Sequence, residues 1–428
     1  MGKIEHRQLR ETLFHEELPN GLKVYLLPKP DFNKTYATFT TRYGSIDNHF
    51  TPPGGQELKV PDGIAHFLEH KMFEEPDGDV FSRFSNQGAS ANAFTSFDRT
   101  AYLFSCTENV HQNLTTLIDF VQNPYFTDQS VEKEKGIIGQ EIRMYEDNPD
   151  WRSYFGLIEA MFKQHPVRID IAGTVESIDK ITKETLYTCY ETFYHPSNML
   201  LFVVGPVNPE ETMELVRQNQ AAKSYEKQGE IRRYYPEEDA GVAQEIKEVS
   251  LAVGIPKCLF GFKEIRTGLT GDDLLRQELA TEVMLEALFG QGSDLYQSLY
   301  DDGLIDDQFG YDYSLEKGYG FSMAGGDTID PDALVKRIRK ELPHLVQSGI
   351  PQDVVERIRK KKLGNYLRLY NSPEWIANQF TRYKFSGTDL FNIIPLLEEL
   401  HGDEVNQRLR EHIGWDRFAV SIVRPNHE

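Results

Sequence analysis

The chain of 428 residues is poor in cysteine, and its three, Cys106, Cys189 and Cys258, stand far apart with no CxxC pair. That rules out a disulfide framework and fits a reducing compartment. No run of about 18 apolar residues occurs, so a membrane-spanning helix is not expected. The opening residues, Met1 to His6, lack the basic-then-apolar order of an export signal, and a soluble, cytoplasmic protein is expected. Basic blocks are missing too: 46 Lys and Arg against 67 Asp and Glu leave a net charge of −21. Nucleic acid and anionic membrane surfaces are therefore not expected partners. What is present, 39% apolar and 12% aromatic residues with 26% charged, is an ordinary globular composition, long enough for two or three domains.

The chain repeats itself. Asp79 to Gly88 matches Asp294 to Gly303 in apolar pattern and at both ends, at an offset of 215, and each reads as a short helix ended by Gly. Val131 to Trp151 matches Val355 to Trp375 at an offset of 224, with Asn148-Pro149-Asp150-Trp151 against Ser372-Pro373-Glu374-Trp375. Two similar offsets in the same order indicate two homologous halves. Periodicity fades between Gln218 and Glu248, which reads as a linker. The division expected is residues 1–220, a linker at 221–247, and 248–428. In the first half, strands are expected at Leu22 to Leu27, Tyr36 to Thr41, Ala101 to Ser105 and Met199 to Val204, with a turn at Asn20-Gly21. Helices are expected near 63–73, 110–122, 130–146 and 151–163, giving an α+β chain of two layered α/β halves.

His66-Phe67-Leu68-Glu69-His70 follows Pro61-Asp62-Gly63, a plausible helix start. Residues four apart share a helix face, so both imidazoles can reach one ion with Glu69 beside them as general base. Chance produces this five-residue pattern roughly a few hundredths of a time in a chain with so few histidines. In the helix from Val131 to Glu146, the apolar positions are Val131, Ile137, Ile138, Ile142, Met144 and Tyr145, and Glu134 and Glu141 interrupt them on nearly one face. A carboxylate drawn toward an apolar core is costly unless a cation compensates it. Zn2+ would do so: His66, His70 and Glu141 make three ligands and leave a fourth position for water, as in catalytic sites, while Glu134 fits as support for a ligand. Carrying these positions forward by the two offsets gives Thr281, Met284, Leu285, Ile358 and Asn365, so the second half keeps the scaffold without the chemistry.

HxxEH, an ExxxxxxE pair some seventy residues later, and two related halves together resemble the pitrilysin/insulinase family of inverzincin metalloproteases, close to its bacterial processing-peptidase-like branch. The resemblance implies His66, His70 and Glu141 as zinc ligands, Glu69 as catalytic base and Glu134 as accessory catalytic acid. It implies a clam around a chamber, in which small or unfolded peptides are cleaved by attack of a zinc-bound water. Segments Asn20 to Val24, Gly88 to Thr95 and Tyr194 to Met199 also match. In the family, the stretch matching Ser90 to Thr95 is an edge strand that pairs with extended substrate, so Ala91, Asn92 and Ala93 are expected to bind it; small side chains let a peptide backbone approach.

One departure stands out. Active members usually carry, in the second half, an Arg followed seven positions later by Tyr, and here those positions hold Tyr300 and Asp307, with Tyr311 and Tyr313 displaced nearby. The expectation is a zinc metalloendopeptidase working as a homodimer, or as a heterodimer with a paralogous subunit that lacks HxxEH. The alternative is a non-catalytic or weakly active subunit of a heteromeric processing-peptidase-like complex. A cysteine nucleophile at Cys106 or Cys189 has no local signature to support it.

Overall fold

The computed structural model describes residues 1–76 and 78–426. Among them, two sheets organise two packed units. The first sheet contains β1 (Gly2–His6), β2 (Glu11–Glu17), β3 (Lys23–Pro28), β4 (Thr35–Thr41), β5 (Ala89–Thr95), β6 (Thr100–Cys106) and β7 (Met199–Gly205), in the spatial order β1-β2-β3-β7-β4-β6-β5. Its central strands, Thr-Tyr-Ala-Thr-Phe-Thr-Thr and Met-Leu-Leu-Phe-Val-Val-Gly, are buried along their whole length, as continuous β-branched, aromatic and aliphatic runs dictate. The second sheet contains β8 (Ile246–Leu251), β9 (Lys257–Phe262), β10 (Gly310–Leu315), β11 (Gly320–Asp327) and β12 (Phe418–Pro425), in the order β8-β12-β9-β11-β10.

The two orders coincide. The run β3-β7-β4-β6-β5 has one parallel pair, β3 with β7 (Val24 opposite Leu201), and is otherwise antiparallel. The run β8-β12-β9-β11-β10 has its one parallel pair in the same place, β8 with β12 (Glu248 opposite Ile422). The repeated sequence segments thus carry a repeated topology.

The helices that matter are α1 (Ile64–Met72), α2 (Val80–Asn86), α3 (Asp128–Glu146), α4 (Pro149–Met161), α5 (Gly271–Phe289), α6 (Asp294–Asp301), α7 (Gln352–Leu369), α8 (Pro373–Phe385) and α9 (Gly402–His412). The matched tetrapeptides are both helix starts. Asn148 accepts from the backbone N–H groups of Asp150 and Trp151, Ser372 accepts from that of Trp375, and each is followed by Pro and an acid in the first turn.

Each packed unit takes a segment from the other half of the sequence. One unit is Met1–Ile142, Asp170–Tyr235 and Leu369–Phe385; the other is Arg143–Ile169, Pro236–Arg368 and Ser386–Glu428. Helix α8 lies on β4 and β7, where Phe380 stacks on Phe202 with ring centroids 4.4 Å apart and meets Tyr25 edge-on at 5.0 Å. Helix α4 lies on β9 and β12, the strands in the matching places. It comes close because of Gly156, where an added Cβ would stand 2.4 Å from Ser421 Oγ. The core of this second unit also encloses a charged cluster. Glu264, just beyond β9, accepts through Oε2 from Arg408 Nη2 (2.5 Å), Tyr313 Oη (2.8 Å) and His412 Nδ1 (3.1 Å), and through Oε1 from the N–H groups of Ile265 and Arg266. Burial alone would raise its pKa, but these donors and charges hold the carboxyl well below the usual range.

Candidate functional site

Helix α1 begins where Gly63, at φ 85°, turns left-handed; a Cβ there would lie 2.3 Å from Ala172 O, so the turn needs glycine. The helix buries Ile64, Phe67, Leu68 and Met72, and packs against β5. That leaves His66, Glu69 and His70 on the side facing α3.

The three sequence-picked ligands converge. His66 Nε2 lies 3.7 Å from one Glu141 oxygen and His70 Nε2 lies 3.5 Å from the other, and candidate ligand atoms of all three residues lie within 4.8 Å of one another. The nitrogen–oxygen separations are too long for hydrogen bonds. They suit donors sharing an ion, since a tetrahedral centre with bonds of about 2.1 Å spaces its ligand atoms about 3.4 Å apart. Burial, with the charge of His70, pushes His66 down to about 3, so its imidazole is neutral and able to ligate. Burial also opposes charge on His70, but the Glu134 hydrogen bond and the Glu69, Glu141 and Glu134 charges outweigh it and raise its pKa. Two imidazoles and one carboxylate are a zinc donor set, and these residues fit the ion.

Glu134 stands behind His70, with its Oε1 3.1 Å from His70 Nδ1. A proton on Nδ1 leaves the Nε2 lone pair for a metal. Glu69 is nine-tenths buried, and burial raises its pKa, partly offset by hydrogen bonds from Thr95. Thr95 Oγ1 donates to Glu69 Oε2 at 2.6 Å.

A cleft of about 670 Å3 opens beside these groups, lined by Glu69, His70 and Glu134 together with Asn92 and Ala93. Strand β5, carrying Ala91, Asn92 and Ala93, is the last strand of its sheet and pairs on one side only, with β6. Ala91 is on that strand but outside the cleft lining. The lining also includes Phe73, Phe81 and Ile137, with Phe73 and Phe81 stacked at 4.3 Å. Here the structure corrects the helical stripe read from sequence. Val131, Ile138 and Ile142 are buried, but Ile137 is 44% exposed and Met144 58% exposed. Glu134 and Ile137 line the cleft, so this part of α3 faces the cleft and not the core, while Met144 is exposed outside the lining.

Thr95 carries no role in the sequence reading. It ends the matched Gly88 to Thr95 segment, yet nothing local ties it to Glu69, 26 residues earlier. The second half has no such site at the matched positions. Thr281, Met284, Leu285 and Ile358 are buried. Helices α5 and α7 are joined there by ion pairs, Glu282 with Lys362 at 3.0 Å and Glu286 with Lys361 at 2.6 Å. Tyr300 on α6 is 47% exposed and stacks on Tyr296. Tyr313 is committed to Glu264, and Tyr311 Oη donates to Glu286 at 2.5 Å. Among the described residues, no helix is long and apolar enough to cross a membrane.

Comparison with known proteins agrees with this geometry. Residues 56–175 match the model of the insulinase family (peptidase family M16), and residues 180–362 match that of the M16 inactive domain. The chain is 58% identical over 425 residues to a Bacillus subtilis protein named as the uncharacterised zinc protease YmfH, covering 99% of both chains. It is 44% identical to an M16-like peptidase from Alicyclobacillus acidocaldarius, with a TM-score of 0.94 over 97% of this chain and 99% of that one. Pitrilysin shares the fold at 15% identity, with a TM-score of 0.76 over all of this chain and 47% of that one. With both halves matched in order and a full-length relative at this identity, the chain belongs to the insulinase (M16) family of peptidases.

Proposed function

We propose that this chain is a zinc endopeptidase acting on small or unfolded peptides. The observation that carries the reading is the convergence of His66 Nε2, His70 Nε2 and the Glu141 carboxylate, with Glu69 beside them on α1 and bonded to Thr95 at the end of the edge strand β5. An extended peptide adds to the free edge of β5 by backbone hydrogen bonds, and the small side chains of Ala91 and Ala93 let it approach. His66, His70 and Glu141 would hold a zinc ion, which would supply polarisation of the scissile carbonyl and a more acidic water. Glu69 takes a proton from the attacking water as the water oxygen bonds to the carbonyl carbon. It then delivers the proton to the nitrogen as the C–N bond breaks. Glu134 keeps His70 in the ligating tautomer. The three buried free thiols support placing the protein in the cytoplasm.

The test is Glu69→Gln. It should retain zinc and fold while peptide turnover falls at least about a hundredfold, as loss of a general base predicts. Cleavage at the original rate would refute the role.

A second reading concerns the partner. Neither Tyr300, exposed on α6, nor Asp307 can supply the several hydrogen bonds of a guanidinium. We propose that the chain pairs with a paralogous subunit that lacks HxxEH and carries the Arg and Tyr. Adding that subunit should raise peptide turnover, and an Arg-to-Ala change in it should abolish the gain. Full activity of the single chain, unaffected by any paralogue, would refute the pairing.

A further inference from the structure

Glu69 is reached by one side chain from the substrate strand. Thr95 closes β5, directly opposite Thr100 on β6, and its hydroxyl donates to Glu69 Oε2 at 2.6 Å. The threonine is itself held: Thr100 Oγ1 lies 3.4 Å from Thr95 Oγ1 and donates to Tyr43 O at 2.9 Å, and the turn beyond is closed by Ser96 N–H to Arg99 O. A glutamate has three side-chain torsions, and a base that has to face one water gains from having them fixed before substrate arrives. With Oε2 held by the hydroxyl, the orientation of the carboxylate is fixed beside the cleft.

We infer that Thr95 is a positioning residue for the general base: its hydroxyl locks the Glu69 carboxylate, and it ties that orientation to the strand on which the peptide docks. The inference rests on the peptidase reading above. It assigns Thr95 no contact with the metal or with the scissile bond.

The experiment uses the zinc-loaded full chain with whatever subunits co-purify with it. Thr95→Val keeps the shape and removes the hydroxyl. It should lower kcat by about tenfold to a hundredfold, the range for loss of an orienting hydrogen bond to a catalytic group, and leave KM within about twofold. Zinc content and the melting temperature should not change. Thr95→Ser should recover kcat to within about threefold, because it restores the donor. Combining Thr95→Val with Glu69→Gln should cost less than about twofold beyond Glu69→Gln alone, since a residue acting through Glu69 has nothing left to position. Wild-type kcat in Thr95→Val, failure of serine to rescue, or an additive loss in the double variant would each overturn the inference while leaving the peptidase reading intact. Loss of zinc alongside kcat would mark Thr95 as structural and overturn it equally. A zinc-loaded wild-type preparation that cleaves no peptide would overturn the peptidase reading, and this inference with it.

Discussion

Replacing Glu134 isolates the support behind the metal from the metal ligands themselves. Its oxygen lies 3.1 Å from His70 Nδ1, and both side chains are largely shielded from solvent. A charge-assisted bond of this kind orients the ring and makes Nε2 a stronger donor. Outer-sphere partners of metal-bound histidine are worth about 10- to 100-fold in affinity, or about 1.4–2.7 kcal/mol. Glu134→Gln keeps an acceptor without the charge and should fall at the lower end. Glu134→Ala keeps neither and should reach the upper end. The assay is competition for zinc with a chromogenic chelator, using metal-free protein at neutral pH. The dependence on pH adds a check of sign. In the metal-free protein the pKa of His70 is raised, with Glu134 as a main contributor, and zinc has to displace that proton. Wild-type affinity therefore falls as pH drops through the raised value. Without Glu134 the imidazole protonates at lower pH, so the gap between variant and wild type should narrow on the acid side. Affinity within twofold of wild type in Glu134→Ala, or a gap that widens with acid, would refute the reasoning.

Glu264→Leu should destabilise the second unit by about 3–5 kcal/mol, because Arg408 loses its buried counter-charge and Tyr313 and His412 lose their acceptor, and zinc content should not change; denaturant titration checks it, and a loss under about 1 kcal/mol would contradict it. Because the Glu264 pKa is depressed by folding, its contribution is complete above the unfolded carboxylate value of about 4.3 and is lost as pH falls toward the native value, so wild type, not Glu264→Leu, should lose this increment of stability below about pH 4. Gly156→Ala should cost about 1–3 kcal/mol through overlap with Ser421 Oγ, and a compensating Ser421→Ala should recover most of it; failure to recover would mean the contact is not the cause.

The convergence of His66, His70 and Glu141 was legible in the sequence because helical spacing is local. His66 and His70 lie one turn apart, and Glu141 is distinguished by sharing a helix face with Glu134. Four strands of the first sheet, β3, β4, β6 and β7, are legible for a similar reason, as short apolar runs. What joins them is not. Pairing β7 with both β3 and β4 requires contacts about 160 to 180 residues apart, for which no local pattern exists. The exchange of α4 and α8 is hidden in the same way, because an apolar helix face does not record which sheet it covers. Ile137 was misread because an apolar residue lining a cleft has the same periodicity as one in a core, and Met144 because an exposed apolar residue can fall on the same stripe. Thr95 and Glu264 gave no signal at all, since each matters through hydrogen bonds to residues remote in sequence.

The two halves give different solutions to one packing problem, which is how to fill the space between a helix after the second strand of the repeated unit and a long helix later in the chain. In the first, α1 and α3 meet through histidines and carboxylates whose charges and lone pairs call for an ion. In the second, the positions matching His66, Glu69 and His70 are core, with Thr281, Met284 and Leu285 buried on α5, while Asn365, matching Glu141, is half-buried. The polar contact moves to neighbouring positions, Glu282 and Glu286 on α5 against Lys362, Tyr366 and Lys361 on α7. Such partly exposed ion pairs contribute at most about 1 kcal/mol each, but they need no metal and do not penalise the apo chain. The second half therefore keeps its helix pair with no ion, because burial on α5 and these ion pairs hold the two helices together. The first copy has no equivalent substitute, since apolar residues at His66, His70 and Glu141 would fill the place where the chemistry happens.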